Sequence, residues 1–89
     1  MLVMTNIPVF CASDLGKSIR NERKKLGLTQ AQLAKQSGCR RETVIAAESG
    51  ENISIYTLMS IFAGLGKGLR ICDFHIEFDQ LIEIFKDDD

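Results

Sequence analysis

Histidine occurs once in the 89 residues, as His75. With one imidazole, no paired carboxylates in a chain large enough for a cleft and no metal-spaced cluster, nothing is present to run acid–base or nucleophilic chemistry. The chain is therefore not expected to be an enzyme or to carry a cofactor or metal. Cysteine occurs three times, as Cys11, Cys39 and Cys72. That is an odd number at wide spacings with no CxxC pair, so reduced thiols in a cytoplasm are expected. No apolar run approaches the roughly 18 residues that cross a bilayer. The mildly apolar start, residues 1–10, has no basic leader and is interrupted by Asn6 and Pro8, which argues against a secretory signal. Gly64, Gly66 and Gly68 lack the spacing and trailing Ser or Thr of a phosphate-binding loop, and they follow a helical pattern rather than a strand.

What remains is an ordinary globular composition, 45% apolar and 26% charged, suited to one small domain. The net charge of −1 conceals a division along the chain. Residues 17–41 carry eight basic side chains against Glu22 alone, a local charge of +7. Residues 69–89 carry Arg70 and Lys86 against seven acids, a local charge of −5. A basic body with an acidic end fits a polyanion-facing surface opposite a protein-facing or solvated one. Two solvated faces of opposite sign are the plainer alternative.

Apolar periodicity outlines the elements. Ser13 and Asp14 read as a helix start, with the acid where the helix dipole favours it. Leu15, Ile19 and Leu26 recur at helical spacing through Lys25, and Gly27 is the stop. Thr29-Gln30-Ala31-Gln32 has the form of a capping box, opening a second helix that runs to about Ser37 and buries Leu33 and Ala34. Gly38 ends it in the left-handed conformation. A third helix covers about residues 41–49, with Val44 and Ala47 inward and Gly50 as the stop. Ser54 caps a fourth, whose inward stripe is Leu58, Ile61, Phe62 and Leu65. The glycines from Gly64 onward break the pattern.

Beyond them the period changes. Cys72, Phe74, Ile76 and Phe78 alternate with Asp73, His75, Glu77 and Asp79, the pattern of a half-buried strand. Leu69 and Ile71 stand in the opposite phase, which implies a bulge near residue 71. A lone strand leaves its backbone groups unpaired, so pairing with the same strand of a second subunit is the economical solution. A hairpin with residues 7–11 or 82–85 is the competing one. The chain divides into an N-terminal extension (1–12), a helical domain (13–66) and a C-terminal strand with an acidic tail (67–89), the latter suited to dimerisation.

Within Gln30–Ser49, QAQLAKQSGCRRETVIAAES, a small residue stands fifth (Ala34), glycine ninth (Gly38), valine fifteenth (Val44) and alanine eighteenth (Ala47). These residues let two helices cross closely, turn the chain, and pin the second helix to the first. With LGKSIRNERKKLGLTQAQLAKQSG before them, RRETVIAAESG within and ISIYTLMSIFAGLG after, the chain resembles the Cro/repressor-like (XRE) helix-turn-helix family. The segment GLGKGLRICDFHIEF is most similar to the HipB-type antitoxins. The resemblance implies a mainly α, lambda-repressor-like domain of roughly four to five helices with a C-terminal β-strand pairing across a dimer. It implies a sequence-specific repressor of double-stranded DNA bearing an inverted repeat. It further implies an antitoxin and autoregulator with a HipA-like kinase toxin as partner. A free-standing regulator without a toxin, or an adaptor whose helix-turn-helix no longer reads DNA, are the alternatives.

Roles follow by position. Arg41 and Glu42, at the start of the third helix, look like base readers, and Ala46 offers a methyl to a thymine methyl. Gln30 resembles the residue that contacts phosphate and braces a base reader. Lys35, Arg40, Thr43 and Ser49 match positions that touch phosphate or sugar. Arg23 and Glu48 match a structural salt bridge, Cys39 a small core residue, and Cys72, Phe74, Ile76 and Phe78 the dimer core. Three residues depart from the pattern: Arg40 stands where a Ser or Thr cap is usual, Ile45 is apolar at an exposed position, and Ile53 replaces a proline.

Overall fold

The computed structural model describes residues 8–73, and among these are four helices and no strand. They are α1 (Ala12–Lys25), α2 (Gln30–Ser37), α3 (Arg41–Glu48) and α4 (Ile55–Gly64). Helix α2 packs against both α3 and α4, while α1 packs against α3. Ile19, Leu33, Val44 and Ile61 are wholly enclosed where the helices meet, and Ala34, Ala47, Phe62 and Leu65 complete the core. Each large side chain buried in this way contributes about 1.5–3 kcal/mol.

Local chemistry explains most boundaries. The Gln32 amide donates to Thr29 Oγ1 at 3.0 Å and the Thr29 amide to Gln32 Oε1 at 2.8 Å, a complete capping box. Ser54 Oγ accepts from the Thr57 amide at 3.1 Å and starts α4. Gly38 closes α2 at φ 73, ψ 29, a conformation that costs a residue with a β-carbon roughly 1–2 kcal/mol.

Four expectations are corrected. Helix α1 begins at Ala12 with Cys11 as N-cap, so Ser13 lies inside the first turn and caps nothing. That turn abuts the Gly50 corner, where a β-carbon would stand 2.9 Å from Ser13 Cα, so packing takes the place of a side-chain cap. Leu26 is 52% exposed rather than inward. Its amide closes α1 on the Glu22 and Arg23 carbonyls, the chain turns at Gly27, and Leu28 packs against the core instead. Gly64 does not break α4 but is its last residue, and its missing β-carbon admits the Ser37 side chain of α2. Helix α3 ends at Glu48, with Ser49 as its C-cap.

Of the expected strand, Cys72 and Asp73 are exposed and have no regular structure. Phe74, Ile76 and Phe78 lie outside the described residues, as do residues 82–85. Residues 8–10 and 68–72 line one shallow apolar groove with Leu15 and Phe62. No helix among the described residues is long and apolar enough to cross a membrane.

Candidate nucleic-acid interface

The turn from α2 to α3 occupies Gly38, Cys39 and Arg40. The Cys39 amide returns to the Ala34 carbonyl at 3.0 Å, and its half-buried side chain packs at the edge of the core. Burial pushes the Cys39 thiol pKa up. Arg40 is extended (φ −86, ψ 156) and begins α3 with no side-chain cap.

The inward residues of α3 are Val44 and Ala47, three apart and both buried. That spacing turns the first residues, Arg41 and Glu42, to solvent, while Thr43, Ile45 and Ala46 are half-buried and Ser49 is exposed. The helix thus presents a free leading end on an anchored body. A second device fixes its far end. Gly16 of α1 has no β-carbon, and one placed there would lie 2.7 Å from the Ala47 carbonyl oxygen, so α1 meets α3 at backbone distance.

From the same helix, Arg23 reaches Glu48. Its Nε lies 2.6 Å from Oε2 and its Nη2 3.2 Å from Oε1, a bidentate pair, while Nη1 donates to the Leu28 carbonyl at 2.8 Å. The two side chains are 10% and 5% exposed. Gln30 Nε2 donates to Glu48 Oε1 at 3.1 Å. Gln30 therefore braces the ion pair through one of its two amide donors.

These groups line a groove of about 590 Å³. Arg20 of α1 stands on its wall, with Thr29 and Gln30 from the start of α2 and Arg41, Ile45 and Ser49 from α3. Its one carboxylate, Glu48, is engaged by Arg23 and Gln30. Arg20 and Arg41 have no ion-pair partner among the described residues. The groove is cationic on balance, and the open amides at the start of α2 add donors. Lys35 and Arg40 are exposed but lie outside its lining.

Arg20 is the residue that sequence reasoning passes over. It counts toward the basic segment without a role there, although it stands three positions before Arg23 and so shares its face of the helix. No group of three or more metal-ligating side chains occurs among the described residues.

Comparison with known proteins finds relatives of this fold. Residues 19–71 match a family model described as helix-turn-helix. A curated relative from Methanothermobacter thermautotrophicus, an uncharacterized HTH-type transcriptional regulator, is 56% identical over 32 residues. That match takes in 36% of this chain and 46% of the relative, so the chain spans less than half of the relative's length. A HipB variant in complex with an O2 20mer superposes with a TM-score of 0.73 at 25% identity, over 80% of this chain and 100% of that one. A HipA–HipB–O2–O3 complex contains a chain of the same fold, with a TM-score of 0.72 at 24% identity, over 78% and 99%. The restriction-modification controller protein C.AhdI from Aeromonas hydrophila is 30% identical with a TM-score of 0.60, over 63% and 86%.

Proposed function

The chain belongs to the helix-turn-helix family, and from that premise we propose that it is a DNA-binding transcriptional regulator, not an enzyme, acting as a dimer on an inverted repeat. The observation that carries this reading is the free first turn of α3, with Arg41 and Glu42 exposed on a helix held from behind by buried Val44 and Ala47.

Arg41 suits a bidentate contact to guanine O6 and N7, Glu42 accepts from a cytosine amino group, and Ala46 sets a methyl against thymine. Lys35, Arg40, Thr43, Ser49 and the remaining donor capacity of Gln30 hold phosphate and fix register. Two copies associate through residues 69–85, with Cys72, Phe74, Ile76 and Phe78 between them. This presents two α3 helices about 34–36 Å apart, one turn of DNA. Binding across a promoter excludes polymerase, so the output is repression, and the setting is the cytoplasm.

A finer reading makes the chain the antitoxin and autoregulator of a HipA-like kinase. It is supported by the HipB likeness, which runs over 80% of the chain against 63% for the controller protein. A free-standing regulator without a toxin is supported by the higher identity to the controller protein, 30% against 25%. An adjacent kinase-like reading frame whose product co-purifies with this chain separates the two.

Selection of bound sequences from a random duplex library tests the main reading. Enrichment of an inverted repeat with half-sites about one helical turn apart is expected. No enriched sequence is the result for an adaptor that does not read DNA, and it overturns the proposal.

A further inference from the structure

We infer that Arg20, on α1, is a backbone-phosphate ligand that closes the groove opposite α3, so that one DNA phosphate is gripped between Arg20 and the start of α2 while Arg41 remains free for a base. This rests on the DNA-binding reading above and adds to it a residue from a helix outside the helix-turn-helix itself.

The placement of Arg20 is fixed by its neighbours. Ile19 on one side is fully buried, and Arg23, one turn further along, is locked to Glu48. The backbone at Arg20 is therefore held rigidly beside the groove, while its side chain stays in solvent. Its charge is also uncompensated. Elsewhere on α1, Glu22 balances Lys25 at 3.3 Å and Lys67 at 3.6 Å. No carboxylate does the same for Arg20 among the described residues, because Glu48, which lines the same groove, is already held by Arg23 and Gln30.

The chemistry of the walls selects the occupant. A guanidinium presents a planar fork that matches two phosphate oxygens. Gln30 and Ala31, the first two residues of α2, line the same groove, and at a helix start their amides have no partner within the helix. Ile45 adds a half-buried apolar surface, which suits the hydrocarbon of a deoxyribose and would be wasted on a free anion. Gln30, the position expected to meet phosphate, has one of its two amide donors committed to Glu48, and of the two cations in the lining that no carboxylate engages, Arg20 is the one outside α3. A phosphate ligand of this kind strengthens binding to every sequence alike.

The test uses the full chain with two duplexes, the inverted repeat enriched by the wild-type protein and a scrambled one of equal length. Arg20→Gln is expected to weaken both by the same factor and to leave the enriched sequence unchanged. The slope of log affinity against log salt should fall by about 0.9 for each phosphate no longer neutralised, close to 2 for a dimer. Arg20→Lys keeps the charge and should keep the slope, losing only part of the affinity. An unchanged slope and affinity in Arg20→Gln overturn this inference and leave the DNA-binding reading intact, as does a loss confined to one base position. Loss of the slope in Arg20→Lys also overturns it, since charge would not then be what matters. If the wild-type protein enriches no duplex, the inference falls with the reading it rests on.

Discussion

Arg23 and Glu48 are joined by two hydrogen bonds, at 2.6 and 3.2 Å, across a separation of 25 residues. The pair ties α1 to the last turn of α3, and Gln30 adds a third strut from α2. Three helices thus converge on one carboxylate, which lines the same groove as Arg20 and Arg41. The same ion pair serves both the stability of the fold and the placement of α3.

Removing one partner leaves the other buried and uncompensated. Arg23→Ala should destabilise the fold by roughly 3–5 kcal/mol, because Glu48 cannot reach water without moving α3. Glu48→Gln leaves the buried Arg23 guanidinium without its counter-charge, but its amide oxygen still accepts one hydrogen bond from Arg23, so it should cost less. Urea denaturation of the two variants checks the order, and equal losses would contradict it. A small domain has only about 5–15 kcal/mol in total, so Arg23→Ala should also lower the melting temperature sharply.

The Ser37 hydroxyl is buried without a hydrogen-bond partner among the described residues. It occupies the space a β-carbon on Gly64 would need. Gly64→Ala therefore forces Ser37 to shift and should cost about 1 kcal/mol net, overpacking outweighing the gain in helix propensity. Ser37→Ala removes an unsatisfied hydroxyl and should be neutral or stabilising. In a double-mutant cycle by thermal unfolding, the combined variant should be more stable than the sum of the single effects. Simple additivity would mean that the two residues do not compete for that space.

These two relationships also mark where the sequence ceases to be legible. Thr29 with Gln32, Ser54 with Thr57, and Gly38 are readable because capping and left-handed turns are decided within four or five residues. Val44 and Ala47 are readable because their spacing repeats the helical period. Gly64 and Leu26 mislead because their roles depend on what lies across the fold: Ser37 for the first, and the direction of the chain after Gly27 for the second. The start of α1 at Cys11 has no local signal, since a packed corner at Gly50 stands in for a cap. Arg20 is visible as a charge, but only the arrangement of α1 against α3 shows which groove it faces.

Arg40 offers a trade between stability and binding. It holds the N-cap position of α3 in the extended conformation a cap requires, yet its side chain accepts nothing. Arg40→Ser supplies an acceptor for the free amides of the first turn and should stabilise the fold by about 0.5–2 kcal/mol. The same change removes a cation proposed to meet phosphate. Affinity for all duplexes should fall together, and the salt slope should drop by about 0.9 for each phosphate that Arg40 neutralises. Chemical denaturation and a salt titration of DNA binding read the two effects separately. A rise in stability with no loss of affinity would remove Arg40 from the interface.

Arg41 should behave in the opposite manner, and the contrast tests whether α3 reads sequence at all. Its side chain is exposed and has no ion pair among the described residues, so Arg41→Ala should change folding stability by no more than about 0.5 kcal/mol. In the proposed base-reading role, a bidentate pair of bonds from Arg41 to guanine discriminates by roughly 1–3 kcal/mol. The variant should therefore lose preference at one base pair in each half-site while its affinity for scrambled duplex falls far less. A binding profile selected from random duplexes, measured for wild type and Arg41→Ala side by side, shows which position relaxes. If instead all positions keep their preference and affinity drops uniformly, Arg41 is one more phosphate ligand. Recognition would then have to come from Glu42 and Ala46, the remaining base-reading candidates on the same helix.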